Sequence, residues 1–236
     1  MMVGLAAGVI GAASGLAAGG VLTLATRYIP QAIFSAAIAQ VPGDAFLQEQ
    51  LAKGAARAGH GWRTCAIVLT TTLAVVASAI KYAEILPAAV AVGLFVVVLV
   101  GLAWIDGETH LLPDVLTMPL LLLGLVVNID GLIVTWWLAV AGALTGYGAI
   151  RVSAAGFAAL TGRPDGIGLG DAKLLGALGA WLGLWAIPSL FLAAAALAML
   201  SASLRCVVAR STAALNTPHP FGPYLATAGI VAMLAR

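Results

Sequence analysis

Residues 85–106 read ILPAAVAVGLFVVVLVGLAWID, and the fold turns on that stretch. From Ile85 to Ile105 it carries no charged side chain, and then it meets Asp106. A run of about 20 apolar residues is what an α-helix needs to cross a hydrocarbon core of ~30 Å. A carboxylate at such a depth is costly enough to imply a task.

The rest of the chain repeats this pattern. With 62% hydrophobic and 8% charged residues and a mean hydropathy of +1.09, the composition is far from that of a soluble domain. Apolar stretches fall at about 4–26, 64–80, 85–105, 115–128, 132–150, 172–187, 189–204 and 220–235. They predict an all-α integral membrane protein, a polytopic bundle of about eight transmembrane helices. The first basic residue is Arg27, so the opening stretch lacks the basic start of a cleaved signal peptide and reads as a retained first helix. Arg27 to about Trp62, with Pro42, Asp44, Glu49, Lys53, Arg57 and His60, is the most polar part and reads as the one sizeable loop outside the membrane.

Threading the helices from an external N-terminus places Arg27, Lys53, Arg57, Arg63, Arg151, Arg163, Lys173, Arg205 and Arg210 on one side. Only Lys81 and Arg236 fall opposite, so the basic side marks the cytosol and both termini are expected outside. The same threading brings Asp106 and Asp171 to cytosolic helix ends. Gly4, Gly8, Gly11, Gly15 and Gly19, then Gly142 and Gly146, then Gly179 and Gly183 have the spacing that lets helix backbones approach closely. Cys65 and Cys206 offer no CxxC spacing and read as small apolar packing residues. A net charge of +2 without a basic run excludes nucleic acid as a partner.

Asp171 lies in a second distinctive stretch, Gly166-Ile167-Gly168-Leu169-Gly170-Asp171-Ala172-Lys173. Glycines 166, 168 and 170 let the backbone approach a substrate strand and permit non-helical backbone beside a watery cavity. Asp171 then starts a helix, whose dipole favours its charged form. Two carboxylates at one depth can share a proton, one acting as acid while the other activates water as base. The pair can cut a peptide bond without a metal, with a bell-shaped pH profile belonging to the pair and not to either residue. That is the chemistry of a membrane-embedded aspartic protease.

The motifs resemble those of bacterial type IV prepilin peptidases, which are GxGD-type intramembrane aspartic proteases. Gly168-Leu169-Gly170-Asp171, followed by Ala172-Lys173-Leu174-Leu175-Gly176-Ala177-Leu178-Gly179-Ala180-Trp181-Leu182-Gly183, is similar to the second signature of that family. Ile105-Asp106 through Leu112-Pro113-Asp114 resembles the first, and Pro220-Phe221-Gly222-Pro223-Tyr224-Leu225 resembles the C-terminal element. The resemblance covers roughly residues 85–236 and implies Asp106 and Asp171 as the catalytic pair. It also implies a multi-pass protein of the bacterial inner membrane with its active site at the cytosolic face. There such an enzyme cuts the short basic leader of prepilins and type II secretion pseudopilins, after a glycine and commonly before phenylalanine.

One departure matters. Many members of the family carry two Cys-x-x-Cys pairs after the first helix, resembling a zinc knuckle, and N-methylate the new terminus with S-adenosylmethionine. The loop between Arg27 and Arg63 has no cysteine, so no metal site is expected. Proteolysis needs no cofactor in this reading, and S-adenosylmethionine enters only if a methyltransferase activity is retained. Gly15 to Gly20 through Tyr28-Ile29-Pro30 resembles the start of that region. Residues 1–64 therefore read as its reduced counterpart, and 65–236 as the peptidase core.

Neighbouring residues have two readings each. Asp114, after Pro113, reads as a helix cap or first-turn residue ahead of a catalytic one. Glu108 and His110 either tune the pair or meet the basic residues of the leader, or else form a solvated turn. Lys173 either stabilises a carboxylate or anchors its helix by snorkelling. Gly168 and Gly170 support the Asp171 loop. Asp130, with Asn128 and Gly131, reads as an external turn, Asp165 as a cytosolic loop residue, and His60 and His219 lack ligand spacing. A proton-coupled transporter would instead use the two aspartates as relay groups near the midplane, within matched halves that this chain lacks. A non-catalytic pilus or secretion scaffold would leave the paired signatures without a purpose.

Overall fold

Hydrocarbon offers a backbone amide no partner, so each apolar stretch closes its own hydrogen bonds as a helix. The computed structural model describes residues 2–40, 49, 61–161, 168–209 and 220–236. Among the described residues the regular structure is helical: α1 (Met2–Gln40), α2 (Gly61–Lys81), α3 (Leu86–Thr109), α4 (Asp114–Val127), α5 (Trp136–Thr161), α6 (Leu169–Leu182), α7 (Ile187–Ala209) and α8 (Gly222–Ala235). A single 3-10 turn, Leu184–Ala186, links α6 to α7.

The eight described helices correspond one to one with the eight apolar stretches but differ in length. Five regions, Ala6–Ile33, Gly61–Lys81, Leu86–Thr109, Trp136–Leu160 and Leu184–Val208, are long and apolar enough to cross a membrane. Helices α4, α6 and α8 have 14 residues each. That is about 21 Å of helix, short of a ~30 Å core. The expected loop at Arg27 also begins later, because α1 runs through the alanine-rich stretch 31–40 to Gln40 with Pro30 inside it. Helix α5 likewise continues past the expected end at 150, through Arg151 to Thr161. The break expected near 188 falls at Gly183, whose φ of +79° stops α6.

The chain divides into two compact units, Met1–Pro113 and Asp114–Arg236. In the first, the glycine stripe of α1 is its seam with α2. A Cβ on Gly15 would stand 2.7 Å from the Thr72 backbone, and one on Gly19 2.8 Å from that of Val68, with Gly11 pressed in the same way on Ala79. The residue numbers rise on α1 as they fall on α2, so the two helices run antiparallel. Helix α3 joins them where Leu22 fills the space left by the missing side chain of Gly101. Ile67, Val92, Phe95, Val96 and Leu99 are fully buried in this unit.

In the second unit the centre is α6, whose residues from Leu174 to Leu182 are all buried. Burial on every side makes it a core helix, although its sequence is no more apolar than that of its neighbours. Gly142 of α5 and Gly179 of α6 meet backbone to backbone, and a Cβ on Gly146 would stand 2.5 Å from the Leu175 carbonyl oxygen. Trp181 fills the space over Gly124 and donates its indole N–H to the Leu120 carbonyl at 2.8 Å.

Asn128 corrects the reading of an exposed turn at its own position, because it is fully buried. Its amide nitrogen donates to the Gly124 and Ala180 carbonyls at 3.0 and 2.9 Å, and its oxygen accepts from the Ile133 and Val134 N–H groups at 3.0 and 2.9 Å. All four bonds an amide side chain can make here are made. Asp130 is exposed and Gly131 has φ +73°, as a turn requires. Cys65 is exposed on α2 and thus is no packing residue, and Cys206 is half-buried on α7. Outward-facing Val21, Leu144, Leu192 and Val207 are more than half exposed, which suits a hydrocarbon solvent.

A methyl added at Gly179 meets the Gly142 carbonyl, so Gly179→Ala should cost about 1–3 kcal/mol in stability. Gly148→Ala, with nothing within 4 Å of the added carbon, should be neutral or stabilising by up to ~1 kcal/mol through helix propensity. Thermal melting in detergent compares the two; equal melting temperatures would contradict the backbone seam.

Candidate active site

The last turn of α3 brings the sequence-predicted residues of the first unit together. Asp106 is 4% exposed and lies on a buried stripe with Leu99 and Leu102. His110 ends the helix in the left-handed region at φ 55°, and its N–H bonds the Asp106 carbonyl at 2.8 Å. Thr109 donates its hydroxyl to the Ile105 carbonyl at 2.7 Å, holding the same turn. His110 itself is exposed, in keeping with a turn residue.

Glu108 is no solvated turn residue. It lies within α3, and both of its carboxylate oxygens are taken by the guanidinium of Arg63, through Nε to Oε1 and through Nη2 to Oε2 at 2.7 Å. Arg63, on α2, is 4% exposed and also reaches Thr26 of α1. In the sequence alone Arg63 reads only as a marker of topology.

In the second unit Asp171 occupies the first turn of α6, half-buried, with Gly168 as the extended N-cap at φ −67°, ψ 136°. Any residue adopts that conformation, so the glycine at 168 answers to space. A Cβ there would come within 3.3 Å of the Asp171 carboxylate oxygen Oδ2. Gly170 follows inside the helix, directly ahead of Asp171.

Lys173, one half-turn on, donates to both oxygens of Asp114 at 2.7 Å, tying the start of α6 to the start of α4. Asp114 is thus a first-turn residue of α4, as its position after Pro113 suggested, and Lys173 stabilises the carboxylate of Asp114. The C-terminal element joins α8 to α7. The Tyr224 hydroxyl bonds Ser201 and accepts from Arg205 at 3.0 Å, and the Phe221 ring stands 6.3 Å from that of Phe191. His60, Arg163, Asp165, Gly166 and His219 lie outside the described residues.

Residues 93–203, just under half of the chain, match the Type IV leader peptidase family, and that segment includes both Asp106 and Asp171. Among curated proteins the chain is similar to a prepilin leader peptidase/N-methyltransferase of Neisseria gonorrhoeae, 38% identical over 138 residues. Those of Aeromonas hydrophila and Dickeya chrysanthemi are 44% and 41% identical over 137 residues each. Each alignment takes in 58% of this chain and 46–47% of the relative, so the chain spans about half the length of the curated relatives it matches. No solved structure matches it.

Because the Lys173 and Asp114 side chains stay 25% and 59% exposed, Lys173→Met or Asp114→Asn should change stability by less than about 1 kcal/mol. A larger drop in melting temperature would mean that this pair fastens α4 to α6.

Proposed function

We propose, from the match of residues 93–203 to the Type IV leader peptidase family, that the protein is a membrane aspartic endopeptidase. It cleaves the N-terminal leader of type IV prepilins and type II secretion pseudopilins at the cytosolic face of the bacterial inner membrane. Asp106 and Asp171 are the catalytic pair. The observation that carries this reading is that both aspartates fall inside the matched segment, each at a helix end.

One carboxyl of the pair is protonated and the other ionised. The ionised one takes a proton from water, whose oxygen attacks the scissile carbonyl, and the protonated one delivers its proton to the departing amide nitrogen. The close approach of Gly168 to the Asp171 carboxylate supports a function for the glycine-rich element. It leaves the carboxylate room that any side chain would occupy.

The basic side of the chain, counted from its lysines and arginines, supports a cytosolic site that meets a basic leader while the apolar helix of the substrate stays in the bilayer. The curated relatives are also named N-methyltransferases. In this chain the stretch between Arg27 and Arg63 lacks cysteine, and residues 1–64 are read as a reduced counterpart of the methyltransferase region. The activity proposed is cleavage, and S-adenosylmethionine belongs to it only if methylation is retained.

Purified protein in detergent should release the leader from a prepilin-type peptide, and Asp106→Asn and Asp171→Asn should each lower the rate at least about a hundredfold. Absence of cleavage by the parent, folded and given a suitable leader, would return the transporter and scaffold readings. Gly168→Ala should slow turnover with its melting temperature unchanged; equal turnover would detach that glycine from the chemistry. A mass increase of one methyl group on the cleaved pilin, in the presence of S-adenosylmethionine, would overturn the peptidase-only reading.

A further inference from the structure

Two charges of the first unit stand at the unfavourable ends of their helices. Arg63 is the third residue of α2, where the helix dipole repels a cation, and Glu108 lies in the last turn of α3, where it repels an anion. Both are also withdrawn from solvent, with side chains 5% and 19% exposed. A breach of local rules on this scale needs a compensating interaction, and such breaches concentrate at functional sites.

The compensation is a planar fork. Arg63 engages both oxygens of Glu108, while its Nη2 donates to the Thr26 hydroxyl at 3.1 Å and carbonyl at 3.4 Å. Thr26 is itself 2% exposed. Its carbonyl is available for a reason written in the sequence: Pro30, four residues on inside α1, has no N–H to give it. One guanidinium thus joins α1, α2 and α3 two residues from Asp106. Glu108 does so from the side of α3 that carries Gly101 and Trp104, which meet Leu22 of α1 and Thr70 of α2. Asp106 projects from another side of the helix, with Leu99 and Leu102.

We propose that Arg63 is a positioning residue for Asp106. With Glu108 and Thr26 it fixes the rotation and height of the last turn of α3, and thereby the direction of the Asp106 carboxyl. This rests on the reading of Asp106 as half of the peptidase pair. A lysine cannot replace it, because a point charge does not hold two carboxylate oxygens and a threonine in one plane.

The test uses the full chain in detergent. In Arg63→Gln, kcat on a leader peptide should fall about tenfold or more with KM within about threefold, as expected when a reacting group is displaced by an ångström or less. Amide hydrogen exchange should accelerate across 104–110 and stay unchanged in α6. Arg63→Lys should not restore kcat. The double variant Arg63→Met/Glu108→Leu replaces the buried pair by apolar groups, so its melting temperature should return towards the parent value while kcat stays low. It carries the same readouts if Arg63→Gln loses its fold. Recovery of kcat together with melting temperature in the double variant would reduce the pair to a stability element, and unchanged exchange across 104–110 would overturn the proposal. If the parent cleaves no leader, the peptidase reading fails and exchange alone decides: acceleration confined to 104–110 supports positioning, and its absence overturns it.

Discussion

In a hydrocarbon solvent a polar group is satisfied only by another part of the chain, and this constraint shapes the helices, their seams and their few buried polar side chains alike. It makes each apolar stretch a helix. It then removes the hydrophobic drive that would bring helices together in water, leaving close van der Waals contact to do so. The glycines of α1, and the pair formed by Gly142 and Gly179, supply that contact by bringing backbones to within touching distance.

The same constraint explains where polar side chains are tolerated. Asn128 is buried with every hydrogen-bonding position filled, and it closes the turn from α4 to α5 while reaching α6. Trp181 places its one N–H on a backbone carbonyl of α4. Arg63 and Glu108 cancel one another, and the guanidinium also serves a carbonyl that Pro30 leaves open. Asp106 and Asp171 are placed on these frameworks, one at the end of α3 and the other at the start of α6. In each unit an ion-paired side chain lies two residues from the aspartate, Glu108 after Asp106 and Lys173 after Asp171.

The exposed pair and the buried pair differ in kind. Lys173 and Asp114 face solvent, where screening and side-chain entropy leave an ion pair little net effect. Arg63 and Glu108 are largely withdrawn from it, so the loss of either partner strands the other. Both oxygens of Glu108 are already engaged by Arg63, so that carboxylate is not a free docking point for an incoming cation.

The sequence by itself determined the class, the order of the described helices, and the placement of both aspartates at helix ends. Those properties follow from local patterns: a run of apolar residues, a proline or glycine that stops it, a charge where it stops. The glycine spacing likewise announced close packing in α1, α5 and α6. Only the tertiary structure decided which helix is the core, which of the eight are too short to span alone, and which polar groups meet. Arg63 and Glu108 are 45 positions apart, Asp114 and Lys173 are 59, and Asn128 and Ala180 are 52. No periodicity within one helix encodes such pairings; they arise when packing sets the rotation of one helix against the next.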